Sequence, residues 1–288
     1  AAVLSSAPAT LDTLNELAAA LGDDPNFAAT IMTALGMRIR ADAAQCFTST
    51  QREQARVNIG AVGNLFKITQ FTTSMIHQFN PATKFIEVEL VGGGGAGAGV
   101  DVEATTHTRV GSGGGAGGWA SRFFAREPTQ FATQVIIGAG AIGDSNDGGS
   151  GGSTGYYDDL HDFAVGGGAG GGTSSSAQGL SVHVGALGGN ASGGDINVRG
   201  ESGHAGIGLG TSISGGSSTG GIGGAGGSSR YGSGGRGAYI SATSADGNDG
   251  GQASGYGAGG GGAVRTRSTG SNTGGDGMPG LVIIREYR

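Results

Sequence analysis

Charge, lysine, cysteine and proline are all scarce in this chain of 288 residues. Charged residues make up 13% of it and the net charge is −6, which is too little for the disorder that high net charge sustains. With only Lys67 and Lys84 as lysines and no basic cluster, we expect no nucleic-acid partner. One cysteine allows no internal disulfide, and five prolines are too few for collagen. No apolar run approaches the ~18 residues of a membrane span, so we expect no membrane insertion.

Glycine is what the chain has in abundance. It holds 67 glycines, and all but Gly22, Gly36, Gly60 and Gly63 lie at or after residue 92. Ordering a residue costs roughly 1–2 kcal/mol of backbone entropy, and glycine loses more than any other residue. Such a segment either stays disordered or packs backbone against backbone in a way that only glycine permits. The apolar residues scattered through it favour packing.

The first part of the chain has the spacing of short helices. Apolar stripes at 11–21 and 27–35 predict two helices, and a capping-box pattern at Thr50–Glu53 predicts the start of a third. Helices this short cannot bury their apolar faces alone. We therefore expect residues 1–64 to trimerise about a shared axis; a small monomeric helical cap is the alternative. Because the chain begins Ala-Ala-Val-Leu, we also expect it to be part of a longer or processed protein.

Residues 65–91 change to strand character. In 84–91, three apolar residues alternate with Glu87 and Glu89, which predicts a strand with one apolar and one polar face. The other segments able to form a conventional sheet core are the short apolar runs at 134–137, 180–184 and 281–284. We expect these four segments to pair, with the last one closing the domain on its first strand.

The glycine between these strands predicts the fold class. We expect residues 65–288 to form a mainly β and irregular domain of short strands and stacked polyglycine-II helices, preceded by the short α-helical segment at 1–64. A polyglycine-II helix has about three residues per turn and no internal hydrogen bonds, so its N–H and C=O groups are free to bond neighbouring helices. Each such bond contributes on the order of 1 kcal/mol, which offsets the entropy cost of ordering glycine.

The sequence offers no pattern of a catalytic or cofactor site. Matches to G-x-G-x-x-G arise by chance at this glycine frequency, and no Gly-Lys pair supplies a phosphate-binding loop. The segment Asp158–Asp162 could hold a metal, although a solvated loop is the favoured interpretation. Candidate carboxylates for polysaccharide hydrolysis, among which no spacing singles out the required pair, are Asp101, Glu103, Glu127, Asp158, Asp159 and Asp162. We therefore expect no enzyme activity, no cofactor and no metal.

Aromatic and basic residues in the breaks between glycine runs are the predicted binding residues. Phe123 and Phe163 are assigned to the core, whereas tyrosines flanked by glycine, serine and aspartate have few apolar neighbours to pack against. Flat rings among small adaptable residues are typical of recognition loops held on a rigid scaffold. The candidates are Trp119, Arg122, Arg126, Tyr156, Tyr157, Asp158, His161, Arg230, Tyr231, Tyr239, Tyr256, Arg265 and Arg267.

Two segments near the N-terminus resemble a known family. "SSAPATLDTLNELAAALGDDPNFAATI" at 5–31 and "TSTQREQARVNIGA" at 48–61 resemble segments of lambda-like and Mu-like phage side tail fibres. The resemblance implies a homotrimeric fibre whose shaft segment is 1–64 and whose receptor-binding tip is 65–288. It further implies a virion protein that is made in the cytoplasm of the bacterial host and uses a dedicated assembly chaperone.

The glycine-rich part resembles the receptor-binding adhesins at the long-fibre tips of some T-even-like phages, by composition and alternation. In those adhesins polyglycine-II helices build a sandwich, and variable loops at its distal end hold receptor specificity. Here shaft and tip are fused in one chain, unlike those separate adhesins. The resemblance implies adsorption to lipopolysaccharide or an outer-membrane protein through loops such as 156–163 and 264–272. The alternatives are a surface-polysaccharide depolymerase and a purely structural glycine-rich fibre protein.

Overall fold

The computed structural model of the protein separates the chain into two compact units, Ala1–Val62 and Gly63–Arg288. Among the residues that it describes, no helix has both the length and the apolar character to cross a membrane. The described residues are 29–30, 33, 46–58, 65–102, 107–127, 129, 131–158, 160–176, 179–210, 220–240, 247–266 and 269–288.

The first unit contains the helix α1, Ser49–Asn58. A capping box closes its N-terminus: Thr48 Oγ1 accepts a hydrogen bond from the Gln51 N–H at 3.2 Å, and Gln51 Oε1 accepts one from the Thr48 N–H at 2.9 Å. The prediction of Thr50 as the cap is wrong, because Thr50 already lies inside the helix. The two earlier predicted helices lie outside the described residues, apart from Ala29, Thr30 and Thr33, which are helical.

The second unit is mainly β and rich in glycine, which confirms the mainly β and irregular character predicted for it. Its paired strands run antiparallel and fall into several small sheets. In chain order the strands are β1 (Leu65–Phe71), β2 (Met75–Gln78), β3 (Phe85–Val91), β4 (Val100–Val102), β5 (Thr108–Gly111), β6 (Trp119–Ala125), β7 (Ala132–Ile136), β8 (Thr154–Tyr157), β9 (Phe163–Val165), β10 (Thr173–Ser176), β11 (Gly179–His183), β12 (Ala191–Ser192), β13 (Ile196–Val198), β14 (Gly206–Gly210), β15 (Gly220–Ile222), β16 (Tyr231–Ser233), β17 (Tyr239–Ile240), β18 (Gly247–Asn248), β19 (Ser254–Tyr256), β20 (Val264–Thr266), β21 (Gly270–Asn272) and β22 (Leu281–Tyr287).

Two five-stranded sheets pack on each other at one end of this unit, which we call the sandwich end. Their strand orders are β1-β22-β3-β6-β13 and β12-β9-β8-β7-β2. Between them lies the main core, in which Ile86, Val88 and Leu90 of β3 are fully buried, as the alternation predicts. Val135 and Tyr156 of the second sheet belong to the same core.

The C-terminal strand closes the domain on its first strands. β22 lies between β1 and β3, with Leu281 opposite Val91, and this prediction is therefore confirmed. The expectation that all four apolar segments pair with one another is wrong in part. The segment 134–137 overlaps β7 of the facing sheet, and 180–184 overlaps β11, which pairs with β14 in a separate sheet. Glycine runs carry the chain from one sheet to the next, so the apolar segments are distributed among several sheets.

The glycine runs form a lattice of backbone hydrogen bonds that links distant parts of the chain. The N–H groups of the run 92–99 donate hydrogen bonds to carbonyl oxygens of three neighbouring runs in turn, and the accepting run recurs with a period of three residues. The donor–acceptor pairs are Gly92–Gly118, Gly93–Gly152, Gly94–Met278, Gly95–Gly115, Ala96–Gly149, Gly97–Gly275, Ala98–Ser112 and Gly99–Asn146. A period of about three residues is the one that stacked polyglycine-II helices require; the backbone angles of that helix stay a prediction.

Glycine is required in this lattice because of space. A Cβ atom at Gly94 would lie 1.9 Å from the carbonyl oxygen of Ala258, and one at Gly260 would lie 1.9 Å from that of Gly275. A left-handed backbone is not the general reason. The described glycines with positive φ are Gly179, Gly193, Gly255, Gly257 and Gly270.

The lattice connects the sandwich end to an opposite end, which we call the far end. There the sheets β10-β5-β20-β18 and β11-β14-β15-β17 pack on each other through Val110 and Val264 of the first and Ile240 of the second. The small sheet β21-β4 lies beside them. The other two-stranded sheet, β16-β19, lies at the sandwich end, where Tyr231 and Tyr256 pack against ends of β3, β6 and β22.

Candidate functional site

At the sandwich end, three predicted binding residues gather around the carboxylate of Glu89. They are Trp119, Arg230 and Tyr231, and Tyr256 lies opposite Tyr231 in the small sheet β16-β19. Trp119 Nε1 donates a hydrogen bond to Glu89 Oε2 at 3.2 Å, and the Tyr231 hydroxyl donates to the same oxygen. The Arg230 guanidinium lies 4.3 Å from the centroid of the Trp119 ring. Glu89 is on the side of β3 opposite the core, as predicted, yet it is only 6% exposed.

This cluster anchors the sheet β16-β19 to the sandwich. Burial works to raise the pKa of Glu89, but hydrogen bonds from Tyr231, Arg285 and Trp119 outweigh it and hold that pKa below its ordinary value. The pKa of Tyr231 is raised, first by burial and then by its hydrogen bond to Glu89. The carboxylate of Glu89 is engaged by its neighbours and Trp119 is only 9% exposed. The Trp119 ring therefore leaves little surface for a ligand.

The predicted recognition loop 156–163 is built into the sandwich. Tyr156 is fully buried, and its ring packs against Phe124 and Phe163 in the main core. The assignment of Tyr156 as a receptor-binding residue is therefore wrong, because its ring has no exposed surface. Phe163 is buried as predicted.

Asp158 and His161 shape the same loop from within. Asp158 Oδ1 accepts hydrogen bonds from the N–H groups of Leu160 and His161, at 2.8 and 2.6 Å. Burial works to raise the pKa of Asp158, but hydrogen bonds from Leu160, Tyr156 and His161 hold it below its ordinary value. The His161 ring stacks on Phe124 with centroids 4.2 Å apart. In the part of the chain that the structure describes, no group of three or more His, Cys, Asp and Glu side chains could hold a metal ion.

Arg122, Arg126 and Tyr157 complete the predicted set at this end. Arg126 Nε donates to a backbone carbonyl at 2.8 Å, and Arg122 lies over a neighbouring ring at 5.9 Å. Tyr157 is half-buried and lines an open groove of about 540 Å³ together with Ile76 and Phe131. These three positions stay predictions as binding residues, since their side chains keep some exposed surface.

Phe123 differs from its predicted position in the core. It is 51% exposed, and it stacks on Phe85 with ring centroids 5.7 Å apart. Its neighbour Phe124 takes the buried position on β6 instead. The alternation of a strand allows only one of two adjacent aromatic residues to face the core, and the sequence does not indicate which.

Tyr239 is the predicted binding residue with a large exposed surface at the far end. It is 60% exposed and lines an open groove of about 390 Å³ with Arg236, Asn248 and Asp249. Asn248 Nδ2 donates to the Tyr239 carbonyl oxygen at 2.6 Å, and Asp249 Oδ1 accepts from the Thr273 N–H at 2.9 Å. The groove thus places a flat ring beside Arg236, an amide and a carboxylate, and the amide and the carboxylate are tied to the backbone by hydrogen bonds.

Arg265 also lies at the far end, in β20. Its Nη1 donates to Asn272 Oδ1 at 2.8 Å and its Nη2 to the Thr269 carbonyl at 2.9 Å, which holds the connection between β20 and β21. Directly opposite Arg265 in the sheet is Arg109 of β5. Sequence reasoning missed Arg109 because the register that pairs these two strands cannot be read from either strand alone. Arg267 lies outside the described residues.

Comparison with known proteins settles the family. The family model of the glycine-rich domain matches residues 69–287. This chain belongs to that glycine-rich domain family. Over 43 residues it is also 58% identical to the probable tail fiber protein of Escherichia phage P2, a stretch that is 15% of this chain and 6% of that relative. The chain therefore matches a small part of the relative's length.

In this glycine-rich domain the predicted binding residues divide between the two ends. At the sandwich end the Glu89 cluster and the 156–163 loop hold sheets and loops together. At the far end Tyr239 keeps its ring in solvent, and Arg109 and Arg265 lie side by side on the neighbouring strands β5 and β20. A ring and guanidinium groups can bind sugars, phosphates or the loops of another protein without any bond being made or broken.

Proposed function

We propose that this chain forms the receptor-binding end of a phage tail fibre and attaches the virion to lipopolysaccharide or an outer-membrane protein of its bacterial host. The similarity to a probable tail fiber protein supports the tail-fibre role. The resemblance of 5–31 and 48–61 to lambda-like and Mu-like side tail fibres agrees with it. So does the resemblance of the glycine-rich part to T-even-like adhesins. In this proposal residues 1–64 trimerise as the shaft segment, and an assembly chaperone assists.

The observation that carries the proposal is the exposed far-end groove on a scaffold of backbone hydrogen bonds. The lattice fixes the strands that flank the groove, because neighbouring runs are bonded to one another along their length. On that support Tyr239 exposes its ring beside Arg236 and Asp249. Recognition surfaces commonly place flat amphipathic rings on rigid elements. Three copies per fibre and several fibres per virion would give avidity from weak single contacts.

We further propose that the chain binds without catalysis. Asp158, a candidate carboxylate of the hydrolysis hypothesis, is occupied with backbone N–H groups inside its loop. Incubation of saturating protein with purified host polysaccharide should release no sugar. Release of reducing sugar would favour a depolymerase instead.

The test is binding of the purified full chain to Escherichia strains, measured by sedimentation with whole cells. We expect binding to a susceptible strain and its loss in a mutant that lacks one outer-membrane protein or has a truncated lipopolysaccharide. Tyr239→Ala should weaken binding at least about tenfold, because recognition rings of this kind contribute ~2 kcal/mol or more. Phe123→Ala is the matched control, since it removes an exposed ring at the sandwich end and should leave binding unchanged.

Exchange of the 264–272 segment for that of a related phage should change the range of strains bound. Exchange of 156–163 is not a test of recognition, because Tyr156 and Phe163 belong to the core. A full chain that binds no cell surface would contradict the proposal and favour a purely structural fibre protein. Equal loss of binding by Tyr239→Ala and Phe123→Ala would contradict the assignment of the far-end groove.

A further inference from the structure

The far-end sheet β11-β14-β15-β17 has its polarity reversed. In β14 the glycines face inward and Ile207 and Leu209 face solvent. Inside, Gly208 and Gly221 lie against side chains of the neighbouring sheet, where a Cβ at Gly221 would come within 2.7 Å of Val264. A sheet with one solvated face ordinarily buries its apolar residues and exposes its polar ones. Here, apart from Ile240 at the edge strand β17, the small residues are buried and the large aliphatic ones are exposed.

The exposed aliphatic residues form one continuous surface, which we call the aliphatic face. Leu180 lies opposite Leu209, and Val182, Ile207 and Ile222 follow one another across three strands. After β11 the surface continues into the glycine run, where every third residue is exposed. Its members, each 46–75% exposed, are Leu180, Val182, Val184, Leu187, Ile207, Leu209 and Ile222. Tyr239 lies at its border, opposite Ile222.

The size and the lack of charge of this surface require a partner. The four strands that carry it contain no Asp, Glu, Lys or Arg, although exposed sheets normally use such residues against association. Without Tyr239, which the proposed function keeps in solvent, the seven residues expose on the order of 600 Å² of mostly apolar surface, which approaches the ~800 Å² that stable interfaces bury on each partner. Isolated monomers rarely leave a patch of this extent in water.

We propose that the aliphatic face binds the same face of the other copies of this chain, so that the glycine-rich domains form one joined tip. The inference rests on the homotrimer of the proposed function, which keeps the copies at high local concentration. Three identical flat faces turned toward a common axis would cover one another. A receptor is the less suitable partner, because a face reserved for a receptor would stay exposed to water until the virion met its host. An uncharged face also offers nothing to the phosphates of lipopolysaccharide.

The proposal is tested by cysteine labelling in the assembled full chain. With Cys46→Ser as background, Ile207→Cys and Ile222→Cys place thiols in the face, and Ile142→Cys places one at a position that is 80% exposed and outside it. We expect maleimide to label the two face thiols at least tenfold more slowly than the control. Denaturant should make the three rates equal. A short bis-maleimide should join copies through positions 207 and 222 and not through 142.

Several results would overturn the proposal. Labelling of both face thiols as fast as the control would show that the face is open. Slow labelling without any cross-link between copies would show that another part of the same chain covers it. Fast labelling that slows only when host cells are added would make it a receptor surface. These readouts need no receptor, so they are independent of whether Tyr239→Ala weakens binding to cells. A circular-dichroism melt of each variant, matched to the Cys46→Ser parent, excludes misfolding.

Discussion

At the scale of single residues, the lattice uses glycine for the space it leaves. A Cβ atom at Gly94 would overlap the Ala258 carbonyl, and the obstructing group is backbone that is itself held in hydrogen bonds. By contrast, a Cβ at Gly149 would meet nothing closer than the Ala141 side chain at 3.6 Å. Glycines in the same kind of run therefore differ sharply in whether they tolerate substitution by alanine.

Gly94→Ala should destabilise the domain by about 3 kcal/mol or more, because neighbouring runs must separate to admit the methyl group. Gly149→Ala should change the free energy of unfolding by less than about 0.5 kcal/mol. Urea unfolding followed by circular dichroism measures both. If the two variants unfold at the same urea concentration, the steric account of the lattice does not hold.

At the scale of elements, a buried charged network joins β22 to β1, to β2 and to the turn that follows β2. Glu286 is fully buried, and its carboxylate accepts hydrogen bonds from the Thr83 hydroxyl at 2.6 Å and the Asn80 N–H at 3.0 Å. His77 Nε2 lies 3.2 Å from it and Lys67 Nζ 3.4 Å. The His77 ring meets two phenylalanine rings edge-on. The network ties the last strand of the chain to the turn that precedes β3.

This network predicts loss of stability in acid. The pKa of His77 is lowered, chiefly because burial disfavours the charged ring and although Glu286 opposes this. For Glu286, burial raises the pKa, but hydrogen bonds from Thr83 and Asn80 outweigh it and the net direction is down. For both groups the unfolded chain binds a proton more readily than the folded one. The contribution of each group to the free energy of unfolding is therefore fully present above its ordinary pKa, 6.5 for His77 and 4.5 for Glu286, and declines as pH falls below that value.

The melting temperature, measured by circular dichroism across this range, should fall once pH drops below 6.5, and fall further below 4.5. His77→Gln keeps a hydrogen-bond donor without a titrating ring, so it should remove the first decline and retain the second. A melting temperature that rises between pH 6.5 and 5 would show that the attraction of Glu286 for a charged His77 outweighs its burial.

The strands also show which features of the fold can be predicted from the sequence. Alternation of apolar residues predicts β3 and the closing strand β22, because burial on one face of a strand leaves a period of two. It does not predict that Glu89 is covered, since Tyr231 lies 142 positions further along the chain. The same limit explains Tyr156, whose core partner Phe124 belongs to the facing sheet. Polar neighbours in sequence suggested exposure, whereas the neighbours in space decide it.

At the scale of the whole molecule, segments without helix or strand form the interior. The runs 92–98, 112–118 and 257–263 are bonded to one another, with Gly95 donating to Gly115 and Gly260 to Gly95. Each of them also bonds to several outer runs. Irregular segments are normally mobile surface connections. Here the irregular segments are instead the part of the domain that cannot open unless many neighbouring runs separate.

Backbone amides of 92–98, 112–118 and 257–263 should accordingly be among the slowest to exchange with deuterium, although they belong to no regular element. Opening them requires global unfolding, so we expect protection of roughly 10,000-fold or more. Hydrogen exchange read by mass spectrometry with residue-level fragmentation tests this, and the exposed turn at 144–147 serves as the internal control that exchanges fast. Gly94→Ala should lower the protection of all three runs together, since they share one lattice. Exchange of 92–98 at the rate of the 144–147 turn, in the unsubstituted chain, would mean that the glycine runs are linkers and that the far-end groove has no rigid support.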